Sequence, residues 1–276
     1  MIRPSTGADS TSRPTQAQPA AGSITFNHLS KSFGRGRSEL LVLDDVNGTI
    51  EEGRLVSLIG PSGCGKSTLL RAIAGLHPPT GGEVLIGEEA VRAPQRSTGL
   101  MLQRATLLPW RTVLENVMLP VDVLGLDKKA GREKARQLLR QVGLSGFEDA
   151  YPRQLSGGMQ QRASLCRLLV SEPDVLLLDE PFGAVDEMTR ERLQDVLISL
   201  WEQNHKTLVI VTHSLSEAVF LSDEVIVMAA RPGRIVERIE IDLPRPRVHS
   251  IRTTRAFSEL AVRVRTALEE HSSDER

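Results

Sequence analysis

Nine consecutive residues, Gly60 to Thr68, have the types and spacing needed to hold phosphate groups. Their sequence, GPSGCGKST, places a lysine and a serine directly after a glycine-rich loop. The backbone N–H groups of such a loop wrap around phosphate oxygens, because glycines allow φ values and a close approach that side chains would block. The lysine then reaches the β- and γ-phosphates, and the serine hydroxyl ligates Mg²⁺. The pattern predicts a bound nucleoside triphosphate with Mg²⁺, held by Gly60, Pro61, Ser62, Gly63, Cys64, Gly65, Lys66, Ser67 and Thr68.

Two acids, Asp179 and Glu180, end the apolar run VLLLDE. A buried strand would deliver Asp179 to its end, where the carboxylate binds Mg²⁺, usually through a water. Glu180 is expected on the opposite side of the pleat, where its carboxylate polarises a water in line with the γ-phosphate. The alternative is a pair of ordinary surface acids at a strand end. The phosphate loop upstream and the Pro-Phe-Gly run directly downstream favour the catalytic interpretation.

The string LSGGMQQR, from Leu155 to Arg162, predicts a second helix that begins at an anion-binding terminus. Ser156 is a suitable N-cap residue, and Gly157 and Gly158 leave backbone N–H groups open to a ligand. The alternative is a capped helix with a flexible start. A nucleotide held by the phosphate loop has no use for this terminus within the same subunit. The terminus is therefore expected to hold the γ-phosphate of a nucleotide bound to another subunit.

The predicted elements place the phosphate loop and the two acids at the ends of buried strands. Leu55–Ile59 is predicted as a short strand before the loop, and Lys66–Ala74 as the helix after it, whose dipole favours anions. Near-continuous apolar runs predict further parallel strands at Val175–Leu178 and Leu208–Val211. A small antiparallel sheet is predicted from Ile24–Leu29, Asn47–Ile50 and Glu83–Ile86.

Helical spacing predicts an insertion between these strands, from Thr112 to about Arg153. Within it, Arg132–Val142 is predicted as a helix that Gly143 ends. Farther along the chain, Ser214 and Glu217 fit a capping box at the start of another helix. The insertion lies in a helical subdomain that we expect over residues 105–165, approximately.

The C-terminal part is predicted as a hairpin followed by a helix. The hairpin strands are Val225–Met228 and Ile235–Ile241, joined by a turn at Pro232-Gly233. We expect a disordered tail over residues 1–23, a main domain over 24–246 and a helical extension over 247–276. The last helix is expected to pack on the core through one stripe, formed by Phe257, Leu260, Ala261, Val264 and Leu268.

Composition excludes several classes of function. The net charge of −1 gives no broad basic field for nucleic acid or anionic lipid. Cys64 and Cys166 belong to no metal-binding pattern, so neither a zinc site nor a disulfide framework is expected. Cys64 lies in the phosphate loop beside a helix N-terminus and Lys66, a setting that predicts a reactive thiol protected by bound nucleotide. No apolar run approaches the roughly 18 residues that span a bilayer, so any membrane span must come from another chain.

These motifs, in this order, resemble the ATP-binding-cassette (ABC) ATPases of bacterial importers, from Ile24 to about Pro246. The resemblance implies an α/β fold: a P-loop NTPase (RecA-like) core with a mostly parallel sheet, a small antiparallel β-subdomain and an inserted α-helical subdomain. It also implies a head-to-tail homodimer, with ATP between one subunit's phosphate loop and the other's signature, LSGGMQQR.

The resemblance assigns further site residues by their local strings. Phe33 in KSFG matches the aromatic residue that stacks on adenine, where Tyr is more usual. Gln103 in MLQR matches the glutamine that contacts Mg²⁺ and the attacking water. Asp186 in GAVDE matches the acid exchanged across the dimer interface, and His213 in VTHS matches the histidine on the γ-phosphate.

A finer resemblance concerns the transported solute. The strings GLMLQRATLLPWRTVLENV, EPFGAVDEMTRERLQ, RPGRI and LPRPR are similar to importers of nitrate, taurine and aliphatic sulfonates. The implied partners are integral-membrane permease subunits and, indirectly, an extracytoplasmic solute-binding protein. The implied location is peripheral, at the cytoplasmic face of the inner membrane. The apolar segment Ala105–Trp110 is expected to contact the permease, or alternatively to fold onto its own subdomain.

Other classes of protein share parts of this pattern. Soluble ABC ATPases act in DNA repair or translation, but they generally carry two cassettes, a long coiled coil or a strongly basic segment. A P-loop kinase lacks the signature string, and a GTPase carries an NKxD motif that this sequence does not contain. About 30 residues follow Pro246, which is too few for the β-barrel regulatory domain of some sugar importers.

Overall fold

The computed structural model of the protein describes residues 21–34, 36, 39–183 and 185–272, and within these ranges the strands form two sheets. The strands are β1 (Ile24–Phe33), β2 (Leu40–Ile50), β3 (Leu55–Ile59), β4 (Gly81–Ile86), β5 (Glu89–Ala90), β6 (Thr98–Met101), β7 (Val175–Asp179), β8 (Thr207–Val211), β9 (Glu224–Ala229) and β10 (Arg234–Glu240). The α-helices are α1 (Lys66–Ile73), α2 (Val113–Val117), α3 (Leu119–Leu124), α4 (Lys128–Gln141), α5 (Gly157–Leu169), α6 (Glu187–Asn204), α7 (Leu215–Leu221) and α8 (Arg255–Ser272).

The larger sheet has the strand order β10-β9-β3-β8-β7-β6. Its strands run parallel from β9 to β6, and β10 returns antiparallel to β9. Every residue of β3, β7 and β8 is buried, which explains their near-continuous apolar sequences. The predicted parallel core is confirmed. Its geometry brings the carboxyl ends of β3, β7 and β8 to the same edge.

The smaller sheet is antiparallel, with the order β2-β1-β4-β5, as predicted. Its strands β1 and β2 are longer than the sequence indicated. Residues 1–20 of the predicted disordered tail lie outside the described residues. The expectation of disorder is wrong for residues 21–23: Ser23 is buried, and the Thr207 hydroxyl donates a hydrogen bond to the Gly22 carbonyl at 2.6 Å.

Helices are present where the insertion was predicted: α2, α3 and α4 lie within the predicted range, and α5 follows it before β7. The predicted helix over Arg132–Val142 begins earlier than expected, because Asp127 caps α4 by accepting from the N–H groups of Lys129 and Ala130. At the other end, Gly143 has φ +68°, a left-handed conformation that ends the helix.

A buried asparagine, Asn116 of α2, organises the loop that precedes this helix. Its amide nitrogen donates to the carbonyls of Leu108, Arg111 and Thr112 at 2.9–3.1 Å. Its amide oxygen accepts from the Leu108 N–H at 2.7 Å. The side chain is fully buried, so it substitutes for water at backbone groups of the loop. No local sequence pattern predicted this role for Asn116.

The C-terminal helix α8 packs on the core through the predicted stripe, of which Phe257 and Val264 are buried. Arg247 holds the start of the extension, because its guanidinium donates to the carbonyls of Val219, Phe220 and Ser222. Burial lowers the pKa of this guanidinium to about 10. No helix among the described residues is both long enough and apolar enough to cross a bilayer.

The predicted capping box at Ser214 is only half correct. The Ser214 hydroxyl accepts from the Glu217 N–H at 3.3 Å, as an N-cap does. The Glu217 carboxylate does not return to Ser214, since it accepts from the Thr212 hydroxyl at 2.6 Å. The backbone N–H of Ser214 donates to that same hydroxyl at 3.0 Å. A competing side chain has therefore replaced one half of the box.

We expect Asn116→Ala to lower the free energy of unfolding by about 2–4 kcal/mol, because a fully buried side chain is truncated and the Leu108 N–H and the Arg111 carbonyl lose their partner. Urea unfolding of the variant and the wild type measures this difference. Asn27→Ala, which removes a half-buried asparagine whose hydrogen bond to Glu83 is exposed, is the matched control. A loss no larger than that of the control would show that water replaces the Asn116 amide.

Candidate active site

The phosphate loop forms one wall of an open cavity of about 280 Å³. The loop leaves the end of β3 and enters α1, and Gly63 and Gly65 take left-handed φ values of +79° and +94°. These conformations favour glycine. The side chains and backbone that line the cavity belong to Val42, Gly60, Ser62, Gly63, Gly65, Lys66, Ser67, Thr68, Glu180 and His213. Pro61 and Cys64 belong to the loop but do not line the cavity.

Lys66, Ser67 and Asp179 meet where β3 and β7 end. The Lys66 ammonium donates to the carbonyls of Gly60 and Pro61, both at 2.8 Å, so the cation lies over the loop. The Ser67 hydroxyl donates to Asp179 Oδ1 at 3.0 Å. Burial raises the pKa of the Asp179 carboxyl, and the hydrogen bond from Ser67 opposes that shift. A hydroxyl and a carboxylate at this distance are oxygen ligands of the kind that Mg²⁺ prefers.

Glu180 brings together the residues assigned to hydrolysis. Its Oε2 accepts from the Gln103 amide nitrogen at 2.7 Å, and its Oε1 lies 3.4 Å from His213 Nδ1. The expectation that Glu180 continues the pleat of the strand is wrong. The strand ends at Asp179, and Glu180 has φ +48°, a strained conformation for a residue with a side chain. This turn, rather than strand alternation, sets the position of the carboxylate.

Other residues predicted for the nucleotide lie outside this cavity. Ser156 caps α5 by accepting from the Met159 N–H at 3.3 Å, and an added Cβ on Gly157 would meet no atom within 4 Å. Asp186 caps α6 and accepts from the Thr189 N–H at 3.0 Å. Hydrogen bonding by Thr189 lowers the pKa of Asp186. The Ser156 and Asp186 side chains, like Gly157 and Gly158, do not line the phosphate-loop cavity of their own chain.

Phe33 is partly exposed at the end of β1 and is also absent from the cavity wall. Its ring packs edge-to-face against His77 at 5.4 Å, and the Lys31 ammonium lies 5.0 Å from its centroid. The ring is accessible to a planar ligand, which is compatible with its predicted contact with adenine.

The predicted reactivity of Cys64 is contradicted by its position. Its side chain is fully buried in the core beneath the small sheet. The Lys66 ammonium lies 3.6 Å from the sulfur, on the inner side of the loop. A reagent cannot reach the thiol without opening the loop, so Cys64 is a buried packing residue. The other cysteine, Cys166, is also buried, and burial raises the pKa of its thiol.

Contacts from outside also hold the phosphate loop, and no local sequence pattern predicted them. The Gly233 N–H donates to the Val42 carbonyl at 2.8 Å, which joins the β9–β10 turn to β2. A Cβ on Gly233 would overlap the Cys64 carbonyl, and a Cβ on Gly65 would lie 2.6 Å from Leu43 Cδ2. Backbone atoms of the turn and the loop are thus in direct contact. The RPGRI string predicted the turn but carried no signal of its neighbour.

A strand–loop–helix phosphate cradle beside an acid at the end of the neighbouring strand defines a P-loop nucleoside triphosphatase. Sequence comparison narrows this class, since the family described as ABC transporter matches residues 43–183. The chain belongs to the ABC transporter family as an ATP-binding subunit, and it is an ATPase of the kind that powers transport.

Individual relatives agree with this assignment. An ABC transporter ATP-binding protein of Methanocaldococcus jannaschii is 48% identical over 81% of this chain and 84% of its own length. The aliphatic sulfonates import ATP-binding protein SsuB of Bacillus cereus is 42% identical over 87% of this chain and 94% of its own length. A dimeric ATP-binding cassette solved in a post-hydrolysis state with ADP and phosphate has a TM-score of 0.73 at 32% identity. That match covers 80% of this chain and all of the solved one.

We expect Gly233→Ala to weaken ATP binding at least about tenfold, because the new methyl group displaces the phosphate loop through the Cys64 carbonyl. Equilibrium titration with a fluorescent ATP analogue measures the affinity. Gly81→Ala is the matched control: neither glycine has a left-handed φ, and a Cβ at Gly81 meets its nearest atom at 3.6 Å. If the two variants bind ATP with equal affinity, the β9–β10 turn has moved to make space for the methyl group and the phosphate loop has kept its position.

Proposed function

We propose that the chain is the ATP-hydrolysing subunit of a membrane ABC importer and that it acts as a head-to-tail homodimer. The observation that carries the proposal is that Gln103 and His213 both contact the Glu180 carboxylate, next to the phosphate loop. This arrangement suits water attack on a γ-phosphate. Phosphoryl transfer needs positioning and charge neutralisation rather than covalent participation, so one well-aimed carboxylate is sufficient.

In this proposal each group has a separate role. The phosphate loop and Lys66 bind the triphosphate of ATP. Glu180 orients and polarises the attacking water, Gln103 holds that carboxylate through its amide, and His213 contacts the γ-phosphate. Ser67, Asp179 and Gln103 would hold Mg²⁺, and their oxygen atoms fit that ion. When bound, the ion neutralises charge on the phosphates.

Two groups that do not line the phosphate-loop cavity of their own chain support the dimer. The N-terminus of α5, capped by Ser156, carries open backbone N–H groups but does not line the cavity of its own chain. A helix N-terminus stabilises phosphate through these groups and through the helix dipole. In the proposed dimer it closes the partner's site, with Asp186 at the interface. The solved cassette with ADP and phosphate, which is dimeric, supports this arrangement.

The solute is proposed from sequence similarity, since no residue of this chain is expected to touch it. The proposed solutes are aliphatic sulfonates, taurine and nitrate, and the similarity to SsuB, an aliphatic sulfonates import protein, supports the sulfonates among them. The chain would bind peripherally at the cytoplasmic face of the inner membrane. Its partners there are permease subunits, which receive solute from an extracytoplasmic binding protein. The similarity to import proteins does not favour the alternative of a soluble ATPase in DNA repair or translation.

Reconstitution tests this assignment directly. The chain is co-purified with the permease encoded beside it, and ATP hydrolysis in liposomes is measured with an aliphatic sulfonate, taurine or nitrate and the binding protein. Stimulation by one of these solutes supports the group. Robust assembly without stimulation by any of them would remove the solute assignment and leave the transport role.

The segment Ala105–Trp110 is the candidate surface for the permease. Ala105 is buried and Leu107 packs against the core, so the first half of the segment folds onto its own subdomain. Trp110 is 71% exposed, although indole rings are usually covered. The backbone beneath it is held by Asn116, which contacts residues on both sides of the tryptophan. A rigid loop that presents an exposed aromatic side chain suits a docking contact.

We expect Glu180→Gln to bind ATP with nearly wild-type affinity and to lose turnover by at least about 100-fold, because the water loses its carboxylate while Lys66, Ser67 and Asp179 are unchanged. Steady-state phosphate release and ATP titration measure the two quantities. Glu88→Gln, at an exposed glutamate, is the control.

The same variant reports on pairing, since unhydrolysed ATP keeps the signature helix engaged. Size-exclusion chromatography with and without ATP should show a dimer only with ATP.

Turnover of Glu180→Gln within about threefold of the wild type would remove Glu180 from the catalytic role. A permease-bound complex with one cassette per permease pair would contradict the homodimer.

We expect Trp110→Ala to leave basal ATPase activity nearly intact and to lower permease assembly or solute-stimulated hydrolysis at least about tenfold, a loss of roughly 1.4 kcal/mol. Pull-down with the permease and stimulated ATPase assays measure the effect. Val262→Ala, at an exposed valine of α8, is the control. A parallel loss of basal activity and stability would show that Trp110 supports the core instead.

A further inference from the structure

The turn that carries His213 is held by a buried carboxylate with no role in the steps above. Thr212 and Glu217 are only 2% and 7% exposed. The Thr212 hydroxyl donates to Glu217 Oε2 at 2.6 Å and accepts from the Ser214 N–H at 3.0 Å. His213 lies between the two residues that this hydroxyl connects. The carboxylate therefore fixes the orientation of a hydroxyl that closes the backbone around His213.

This support matters because the His213 side chain receives little from packing. The side chain is 69% exposed, and its Nδ1 lies 3.4 Å from Glu180 Oε1. The position of the imidazole is therefore set mainly by the backbone that carries it. An ordinary capping box would direct Glu217 to the Ser214 N–H. The Glu217 carboxylate instead turns inward and accepts from the Thr212 hydroxyl. This contact indicates that the carboxylate serves to hold that hydroxyl.

The second carboxylate oxygen reaches a different part of the site. Glu217 Oε1 lies 3.5 Å from Arg190 Nε on α6. The same guanidinium donates to the Val185 carbonyl at 3.4 Å and to Glu187 Oε2 at 2.8 Å. Val185 and Glu187 are the chain neighbours of Asp186. Glu217 therefore connects the turn after β8 to the segment that leads into α6.

We propose that Glu217 is a positioning residue for ATP hydrolysis, which holds His213 through Thr212 and ties that turn to the Asp186 segment through Arg190. The inference rests on the proposed function, in which His213 contacts the γ-phosphate of its own subunit and Asp186 lies at the dimer interface. Glu217 then links the state of one nucleotide site to the contact with the other. Neither Glu217 nor Thr212 touches the nucleotide.

The hydroxyl link is tested by Thr212→Val and Thr212→Ser, each made in the wild type and in His213→Ala. We expect Thr212→Val to lower kcat about tenfold with KM for ATP within about twofold, and Thr212→Ser to retain kcat within about twofold. In the His213→Ala background, Thr212→Val should have no further effect, because it acts through His213. An equal loss in both backgrounds, or no loss in the wild type, overturns the proposal.

The ion-pair link is tested by Glu217→Gln and Arg190→Met, singly and together. Glutamine keeps an acceptor for Thr212 but removes the charge that faces Arg190. We expect each single variant to lower kcat at least about threefold and the double variant to be no slower than the slower single. Multiplied effects, or singles with wild-type kcat, overturn this link.

The reference variant His213→Ala separates the positioning role of Glu217 and Thr212 from the proposed role of His213. If it is slow while Thr212→Val has wild-type activity, the positioning role fails and the proposed role of His213 stands. If His213→Ala is as active as the wild type, the role of the histidine fails, and the positioning role fails with it. Thermal unfolding midpoints near the wild-type value confirm that the variants are folded.

Discussion

The parallel pairing of β3, β8 and β7 is the constraint on which the rest of the site depends. Val211 pairs with Leu58 on one side and with Asp179 on the other, so three strands end in line. The phosphate loop, the acids and the histidine turn each follow one of these ends. Their mutual distances are thus set by β-sheet register. A slip of one residue would turn every side chain of the strand to the opposite face.

Backbone contacts with neighbouring elements hold the phosphate loop in addition to its own hydrogen bonds. The β9–β10 turn lies directly on the Cys64 carbonyl, and Gly60 approaches the Met228 carbonyl closely enough to leave no space for a Cβ. The loop is therefore enclosed between β2 and the turn, while its Gly63 side is open to the cavity. A cradle that is rigid on the protein side and open on the ligand side is preorganised for phosphate.

The sequence predicted those features of the fold and site that local patterns encode. The strand–loop–helix around Lys66, the acids after β7 and the hairpin at Gly233 all have short-range signals. Expectations failed where local pattern does not specify burial or long-range partners, as for residues 21–23, where Ser23 is buried. Cys64 lies inside the core, Glu180 leaves the pleat through a left-handed turn, and the carboxylate predicted to cap α7 binds Thr212.

The residues that were missed share the same explanation. Asn116 and Arg190 act on carbonyls or carboxylates that lie outside their own helices. Val42 acts through its own backbone carbonyl, which accepts from the Gly233 N–H. An asparagine in a helix or a valine in a strand looks ordinary until its neighbours are known. Tertiary contact, rather than residue type, gives these side chains their roles.

The structure also explains how a change at the helical insertion reaches the hydrolytic residues. The signature helix α5 holds the segment that follows β6: Gln161 contacts the Gln103 carbonyl at 3.4 Å, and Arg167 donates to the carbonyls of Ala105 and Thr106. Gln103 in turn holds Glu180. In the proposed dimer, the N-terminus of α5 faces the phosphate of the partner's nucleotide. Side chains of the same helix hold the segment around Gln103, which contacts Glu180 of the same chain.

Rotation of α5 with the insertion would therefore act on two nucleotides at once. It would move the N-terminus of α5 relative to the nucleotide site of the partner. It would also pull on Gln103 in the nucleotide site of its own chain. The segment beyond Gln103 leads to Trp110, the candidate contact with the permease. A force applied at that contact has a short covalent and hydrogen-bonded path to Glu180. Solute-dependent control of hydrolysis then needs no sensor domain, because the docking segment and the catalytic carboxylate share one glutamine.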